Sequence, residues 1–212
     1  MRTWLKATSA AALIAGLLAL TTGPAGATTV LKQDLIDLIS LSELILVGDV
    51  TNVTDGFQGG APYTEITMNV SQSIKGNILG TYTFRQFGLT APREMPDGRT
   101  SLGVSPDGWP RFLSGEKVIV FLYQAGSATG FRTTVGLFQG KFDIKDGNVS
   151  NGIQNQGLFN KVVVDPKLAT DAQTKMLGTE KGAVPADAFL SLVRRAVQDK
   201  WIENGSMRHE AN

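Results

Sequence analysis

The stretch GLFQGKFDIKDG contains a Gly-Lys pair, the residue types with which phosphate-binding loops hold a nucleotide. Such a loop needs four residues between its glycines, a Ser or Thr after the lysine, and a helix whose N-terminus receives the phosphate. Here only three residues separate Gly136 from Gly140, and Lys141 is followed by phenylalanine within a strand pattern. These departures exclude a nucleotide site and indicate that the two glycines mark a bulge, a sharp bend or a close backbone contact.

Nucleophilic catalysis has few residues to draw on. The chain has no cysteine, and His209 is its one histidine, the residue that a serine–histidine–carboxylate triad would need. It lies in segment 205–212, for which we expect a frayed tail whose deletion leaves the fold intact. Ser114 and Lys117 match the S-x-x-K motif of penicillin-recognising enzymes, but a strand follows, and the companion S-D-N and K-T-G motifs are absent. We therefore expect no catalytic nucleophile.

Metal ligands are equally sparse. Structural zinc requires clustered cysteines and histidines, which the sequence lacks. Asp143, Asp146 and Asn148 offer oxygen atoms to calcium, but their spacing is not that of an EF-hand loop, and Asp-Gly-Asn is typical of a hairpin turn. We expect neither a metal nor another cofactor.

Paired carboxylates leave one enzymatic alternative open. Several aspartates and the glutamates at 43, 65, 94 and 116 could meet in space, although no spacing in the sequence supports a particular pair. Two carboxylates about 5 to 9 Å apart across a cleft would favour a carboxylate-dependent secreted hydrolase.

The first residues predict export. Arg2 and Lys6 precede the apolar run AALIAGLLAL, and Ala25-Gly26-Ala27 provides the small-x-small pattern at which signal peptidases cleave. The run is shorter than the roughly 20 apolar residues that span a bilayer. We therefore predict a signal peptide over residues 1–27 and an exported product, periplasmic or extracellular, with no membrane attachment after cleavage.

Charge argues against a nucleic-acid partner. Without Arg2 and Lys6 the 20 basic residues fall to 18 against 19 acidic ones, a net charge of −1, and the basic residues are scattered along the chain. Nucleic-acid-binding proteins instead concentrate basic residues in a patch or stripe. The 185 residues that remain after cleavage are enough to bury one core without disulfides, so we expect a single-domain monomer.

Apolar periodicity predicts a mainly β domain over residues 28–165. VLKQDLIDLISL has leucines at helical spacing and predicts an N-terminal helix. Five strands are predicted after it: LILVGDVTNV and YTEITMNVSQSIKG as a hairpin, TYTFRQFG, the wholly apolar KVIVFLYQ, and TTVGLFQGKFDI, with LFNKVVVD as an added edge strand. One face of the second strand is expected to be buried through Thr64, Ile66, Met68, Val70 and Ile74.

The C-terminal part of the chain is expected to contain one loop and one helix. Segment 166–184 is low in apolar residues and predicts a mobile loop without regular structure. Segment 185–204 has an apolar stripe at helical spacing from Phe189 to Trp201. It predicts a C-terminal amphipathic helix packed on the domain, with Pro185 in the first turn.

A long linker interrupts the strands between Gly88 and Gly115. It holds four of the eight prolines, and connections of this length inside a compact domain tend to be functional. We call residues 89–114 the excursion. Its side chains of types enriched at contact surfaces are the candidate binding residues Arg93, Trp109, Arg111 and Phe112. Trp109 also has a structural alternative, as a plug for the open end of a barrel.

SELILVGDVTNV, YTEITMNVSQSIKG, FLSGEKVIVFLYQ and GLFQGKFDI, within residues 30–145, carry a resemblance to known folds. The order of helix, three-strand meander, excursion and two strands resembles the five-stranded OB barrel, and within it the netrin-like modules that include tissue inhibitors of metalloproteinases. It also resembles a group of exported bacterial proteins with a G-x-x-Q-G-K-F strand. Those inhibitors bind their target's zinc through an N-terminal cysteine, which this chain lacks, so the resemblance implies the barrel but no inhibitory residue.

These patterns favour a non-enzymatic exported binding module. The excursion is expected to contact a protein or glycan partner, and by the resemblance alone that partner is an extracellular protease. The secreted hydrolase is the alternative.

Overall fold

The computed structural model describes residues 31–210. The predicted signal peptide, 1–27, and the last two residues of the predicted tail lie outside this range. None of the helices found within it is both long and apolar enough to cross a membrane.

The described residues fold into a mainly β structure. The helices are α1 (Leu35–Leu41), α2 (Asp171–Leu177) and α3 (Ala186–Gln198), and a 3-10 turn covers Leu137–Gln139. The strands are β1 (Leu44–Gln58), β2 (Ala61–Lys75), β3 (Gly80–Phe87), β4 (Arg93–Glu94), β5 (Thr100–Ser101), β6 (Lys117–Leu122), β7 (Lys141–Lys145), β8 (Asn148–Asn151), β9 (Val162–Val164), β10 (Val184–Pro185) and β11 (Met207–His209).

Seven strands form one antiparallel sheet in the order β10–β8–β7–β6–β1–β2–β3. Within the described residues its edge strands, β3 and β10, do not pair, so the sheet is open. The expectation of a closed five-stranded barrel is therefore wrong. The reason is that β8 pairs with the free side of β7, which a closing β3 would need, and β10 then extends the sheet further.

β1 and β2 form a long hairpin around Gly59 and Gly60. Their φ angles are +56° and +83°, and a two-residue hairpin turn with positive φ at both positions matches the twist of its strands. The hairpin that the sequence predicts is therefore present, with both strands longer than expected.

The buried face of β2 changes part-way along the strand. Val70 lies on the face that the alternation predicts, but two shifts in the β1–β2 register leave Ser71 and Ile74 without paired partners in β1. Such bulges bend and twist a strand. Ile74 consequently packs on the opposite side of the sheet from Val70, so the expectation that they share a face is wrong.

Each face of the sheet is covered by its own apolar core. The helix-side core includes Leu35, Ile45, Ile119, Phe121, Phe142, Phe189 and Leu192. The excursion-side core includes Leu46, Ile66, Met68, Phe84, Phe112, Val118 and Val120. β6 contributes alternate side chains to both, which explains why its sequence is continuously apolar.

Helices α1 and α3 both pack on the helix-side core. Asp34 caps α1 by accepting the backbone N–H groups of Ile36 and Asp37 at 2.9 and 3.1 Å. In α3, Phe189, Leu192 and Val193 are fully buried, and Trp201 follows the helix in the same core. α3 occupies part of segment 185–204 and packs on an open sheet.

Residues 134–140 form a turn where a strand was expected. Gly136 has a φ of +61°, and a Cβ on Gly140 would lie 2.3 Å from the carbonyl oxygen of Val135. These are the sharp bend and the close backbone contact that glycine allows. The strand expected over TTVGLFQGKFDI therefore begins only at Lys141.

Three expectations for the C-terminal part are also wrong. Segment 166–184 contains α2, which a capping box between Thr170 and Gln173 begins and Met176 anchors in the core. β9 pairs with β11 in a separate two-stranded sheet and is not an edge of the main sheet. Segment 205–212 is not a frayed tail in its described part, because β11 includes the fully buried Met207.

Candidate functional site

The excursion folds against the end of the β1–β2–β3 meander. β4 and β5 form a small hairpin, and Leu89 bridges Val104 in parallel register. Leu89 is 1% exposed, and its N–H donates to the carbonyl oxygen of Gly103 at 2.8 Å. The excursion is therefore an ordered layer and not a loose linker.

Asp55 of β1 ties the excursion to the sheet. Its Oδ2 accepts both the backbone N–H and the hydroxyl of Thr90, at 2.8 and 2.6 Å, and Oδ1 pairs with Arg93. Burial works to raise the pKa of Asp55, but the bonds from Thr90 and the charge of Arg93 outweigh it and hold the pKa below its usual value of 3.8. The predicted binding residue Arg93 is thus already engaged in holding the excursion.

Phe112 has a structural position. It is 5% exposed and packs edge-on against Phe84, with ring centroids 5.7 Å apart. The ammonium of Lys141 lies 5.2 Å from its ring. Phe112 therefore anchors the excursion in the excursion-side core.

Trp109 is half-buried and lies against Phe87 at the end of β3, with 6.3 Å between the ring centroids. Because the sheet is open, the alternative of a barrel plug does not apply. Phe87 itself is 40% exposed, so the two rings form an apolar surface that solvent reaches.

A cavity of about 180 Å³, with a lining that is part polar and part apolar, lies between the excursion and the end of β3. Its apolar lining residues are Leu89, Val104, Pro110, Phe112 and Leu113, and its polar ones are Thr64, Gln86, Thr90, Ser105 and Arg111. Of these, Leu113 is 66% exposed and stands at the mouth. Two of the four predicted binding residues, Arg111 and Phe112, line this cavity, whereas Arg93 and Trp109 do not.

One polar group inside the cavity wall lacks a partner. Gln86 is 2% exposed, and its Nε2 donates to the carbonyl oxygen of Pro110 at 2.9 Å. Its Oε1 is buried and has no hydrogen bond to any residue that the structure describes. Exchanging the amide nitrogen and oxygen would put two acceptors face to face at Pro110, so the free group is an acceptor.

Arg111 is the only charged side chain among the residues that line the cavity. It is exposed and makes no ion pair or hydrogen bond with any residue in the described range 31–210. The cavity therefore combines apolar walls, an unpaired cation and a buried free acceptor.

The Gly-Lys pair of GLFQGKFDIKDG has a structural role. Lys141 is 8% exposed, and its Nζ lies 2.8 Å from Glu116 and 2.7 Å from Asp143. A buried ammonium requires such compensation. Lys141 thus serves as a paired cation beneath Phe112.

Asp34, Asp37 and His209 form the one grouping within residues 31–210 whose ligand atoms could hold a metal, all within 4.8 Å of one another. Both aspartates already cap α1, and His209 Nε2 lies 2.7 Å from Asp34 Oδ2. The contact joins α1 to β11 across 175 positions of sequence. We assign it a structural role.

Carboxylates line two open depressions elsewhere. Asp34 and Glu180 border one of about 470 Å³, and Asp143 and Asp146 border another of about 430 Å³. Asp34 is occupied by its cap and His209, and Asp143 by Lys141. No observation favours the hydrolase alternative over binding.

Sequence reasoning missed Gln86 and Leu113 as members of the site. A signal for Gln86 exists, because it continues the inward alternation of Tyr82 and Phe84 in β3 as a polar residue at a buried position. Nothing comparable marks Leu113, whose position depends on how the excursion folds back.

Comparison of the chain with models of known protein families, with curated proteins and with solved structures finds no match in any of the three.

Proposed function

We propose that this protein is an exported, non-enzymatic binding module whose excursion contacts a protein partner. The observation that carries the proposal is the cavity beneath the excursion, which joins apolar walls to the unpaired Arg111. Concave apolar sites with a few polar groups are the usual form of binding sites.

The distribution of exposed apolar side chains supports the same surface. Six large hydrophobic residues of the described range are exposed, and three of them, Phe87, Leu102 and Leu113, fall in or next to the excursion. Contiguous exposed apolar patches mark interaction sites, and the presence of three such side chains in one stretch of the chain supports a patch there. The half-buried Trp109 adds an aromatic side chain of the kind that dominates protein interfaces.

This proposal includes a relationship to netrin-like modules. The support for this relationship is the order of strands, in which the meander β1–β2–β3 is followed, after the excursion, by β6 and β7. If the relationship holds, an extracellular protease is one partner to test. A monomer without affinity for nucleic acid or membrane is the form in which we expect the module to act.

Capture of partners by immobilised protein tests the proposal. Residues 28–212, the expected mature chain, would be incubated with the extracellular fluid of the producing cells, and bound proteins quantified by mass spectrometry. We expect at least one protein to bind the parent and to be lost with Trp109→Ala combined with Arg111→Ala. The pair should lower affinity because interface aromatic and arginine side chains contribute more than about 1 kcal/mol each.

Arg99→Ala is the matched control. Arg99 is an exposed arginine of the same excursion whose partner, Asp97, is also exposed, so its loss should leave capture unchanged. Proteins retained equally by all three forms would place the binding surface elsewhere and contradict the proposal. A sharp fall in the melting temperature of Trp109→Ala, with unchanged affinity per folded molecule, would likewise assign the tryptophan to stability.

A further inference from the structure

We propose that the cavity beneath the excursion binds the apolar carboxyl-terminal residue of a polypeptide. This inference rests on the proposed binding function and specifies its ligand. Three features of the cavity, argued in turn, select this chemistry: its size and apolar walls, the cation at its mouth, and the free acceptor in its wall.

The size of the cavity admits one side chain. Its volume is about 180 Å³, and an apolar cavity of about 150 Å³ holds a benzene molecule. Sites for cofactors and drug-sized ligands are larger, from about 300 Å³. The walls from Leu89, Val104 and Phe112 therefore suit a leucine- or phenylalanine-sized group.

The cation at the mouth selects a carboxylate. Arg111 has no partner within the described residues, and no acidic side chain lines the cavity. A guanidinium pairs with a carboxylate through two parallel hydrogen bonds, which is stronger and more directional than a contact with a neutral group. A ligand with its apolar side chain inside the cavity would thus have its carboxylate close to Arg111.

The free acceptor selects a hydrogen-bond donor on the same ligand. Gln86 Oε1 can only accept, and the amide N–H of a terminal residue supplies the donor. A fatty acid has the chain and the carboxylate but lacks this N–H, and an internal peptide residue has the N–H but lacks the carboxylate. A C-terminal apolar residue has all three groups on adjacent atoms.

Access to the acceptor requires the side chains around it to move, because Gln86 Oε1 has almost no accessible surface. Gln86 Oε1 is closed off from solvent, whereas Leu113 and Arg111 are exposed side chains at the rim. Rotation of rim side chains is the movement that we expect on ligand binding, since side-chain changes of this kind are common when partners bind.

Fluorescence anisotropy with a labelled peptide tests the proposal. The probe is fluorescein-Gly-Ser-Gly-Ser-Leu with a free carboxylate, measured beside the same peptide ending in Leu-amide and one ending in Ser. We expect the free Leu peptide to bind the full expected mature chain at least tenfold more tightly than either of the others, because each lacks one of the selected groups. Arg111→Gln should remove the preference for the carboxylate, and Gln86→Leu should weaken both Leu peptides.

Arg99→Gln is the control variant and should bind as the parent does. Melting temperatures of all variants exclude unfolding as the cause, and Arg111→Gln keeps the test valid if Gln86→Leu fails to fold, because Arg111 is exposed. Equal binding of the free and amidated peptides would overturn the proposal, as would octanoate competing as well as the free peptide. A protein partner that depends on Trp109 and Arg111, together with no binding of any of these peptides, would overturn this inference while leaving the proposed function intact.

Discussion

At the scale of single residues, two buried oxygens, Gln86 Oε1 and Thr133 Oγ1, have no hydrogen bond within the described range, and of the two only Gln86 belongs to a residue that lines the cavity. The buried Lys141 is paired with Glu116 and Asp143, and the half-buried Asp55 joins the sheet to Arg93 of the excursion. The side-chain nitrogen of Gln86 has a hydrogen-bond partner, whereas its side-chain oxygen has none among the described residues. An uncompensated buried acceptor lowers stability, so its presence at a cavity is better explained by binding than by folding.

Lys141→Met should lower the free energy of unfolding by about 3 kcal/mol, because Glu116 would keep a partly buried charge without its partner. Chemical denaturation followed by tryptophan fluorescence measures the change. Lys145→Met, at an exposed position of the same strand, is the control and should change little. Equal effects of the two substitutions would show that the ion pair does not stabilise the protein.

Asp55→Asn should destabilise the protein by about 2 kcal/mol at neutral pH, since charged hydrogen bonds to Thr90 and Arg93 are weakened. The folded pKa of Asp55 lies below the usual 3.8, so its contribution is present above pH 3.8 and is lost as the pH falls through the folded value. The difference between parent and variant should therefore shrink in acid below pH 3.8. Thermal unfolding across this range provides the measurement.

Asp97→Asn is the matched control for this pH dependence. The hydrogen bonds from Arg99 also hold the pKa of Asp97 below its usual value, but solvent screens this exposed pair, so its contribution is small and the variant should melt close to the parent at every pH. A constant difference between the parent and Asp55→Asn at every pH would exclude the lowered pKa as its cause.

At the scale of elements, short segments acquire their structure from the contacts of their neighbours. β11 has three residues and pairs with β9, while Met207 enters the helix-side core and its N–H donates to the carbonyl oxygen of Trp201. His209 adds the contact to Asp34. The chain segment after α3 is thus part of the fold, although its sequence is polar and short.

Met207→Ser should lower the free energy of unfolding by about 3 kcal/mol, because it removes a fully buried side chain and leaves a cavity. Arg208→Ser, one position along on the exposed side of β11, should have little effect. Urea unfolding of both variants measures the difference. If Met207→Ser unfolded like the parent, the original expectation of a frayed tail would be restored.

At the scale of the whole described chain, one sheet separates two cores, and β6 belongs to both. Val120 faces the excursion-side core and Phe121 the helix-side core, and each is fully buried. Disruption of either core would disturb β6 and the sheet, and the core on the other face packs against that same sheet. We therefore expect the two faces to unfold together.

Val120→Asp and Phe121→Asp should each prevent folding, because an unpaired buried charge costs several kcal/mol and the net stability of a domain is about 5 to 15 kcal/mol. Circular dichroism of the purified variants tests this. Thr81→Asp places the same charge on an exposed position of the edge strand β3 and should fold normally. A Val120→Asp protein with the parent's spectrum and melting temperature would show that β6 is not central.

The sequence by itself determined the local features of this protein. The alternation in β2 up to Val70, the continuously apolar β6 and the stripe of α3 follow from periodicity, since one buried face imposes a repeat of two or 3.6 residues. The glycines at 136 and 140 were also interpreted correctly from the sequence, because only a residue without Cβ fits those backbone positions. The excursion was identified by its prolines and length, and with it two of the cavity residues, Arg111 and Phe112.

Only the tertiary structure decided which distant segments meet. Whether the sheet closes depends on the pairing of β7 with β8, and periodicity within a strand contains no information about its neighbour. Arg93 and Arg111 have the same side chain, yet Asp55 pairs with the first, and the second has no partner between residues 31 and 210. The free acceptor of Gln86 likewise exists because Pro110 folds back onto its nitrogen alone, which is a consequence of long-range packing.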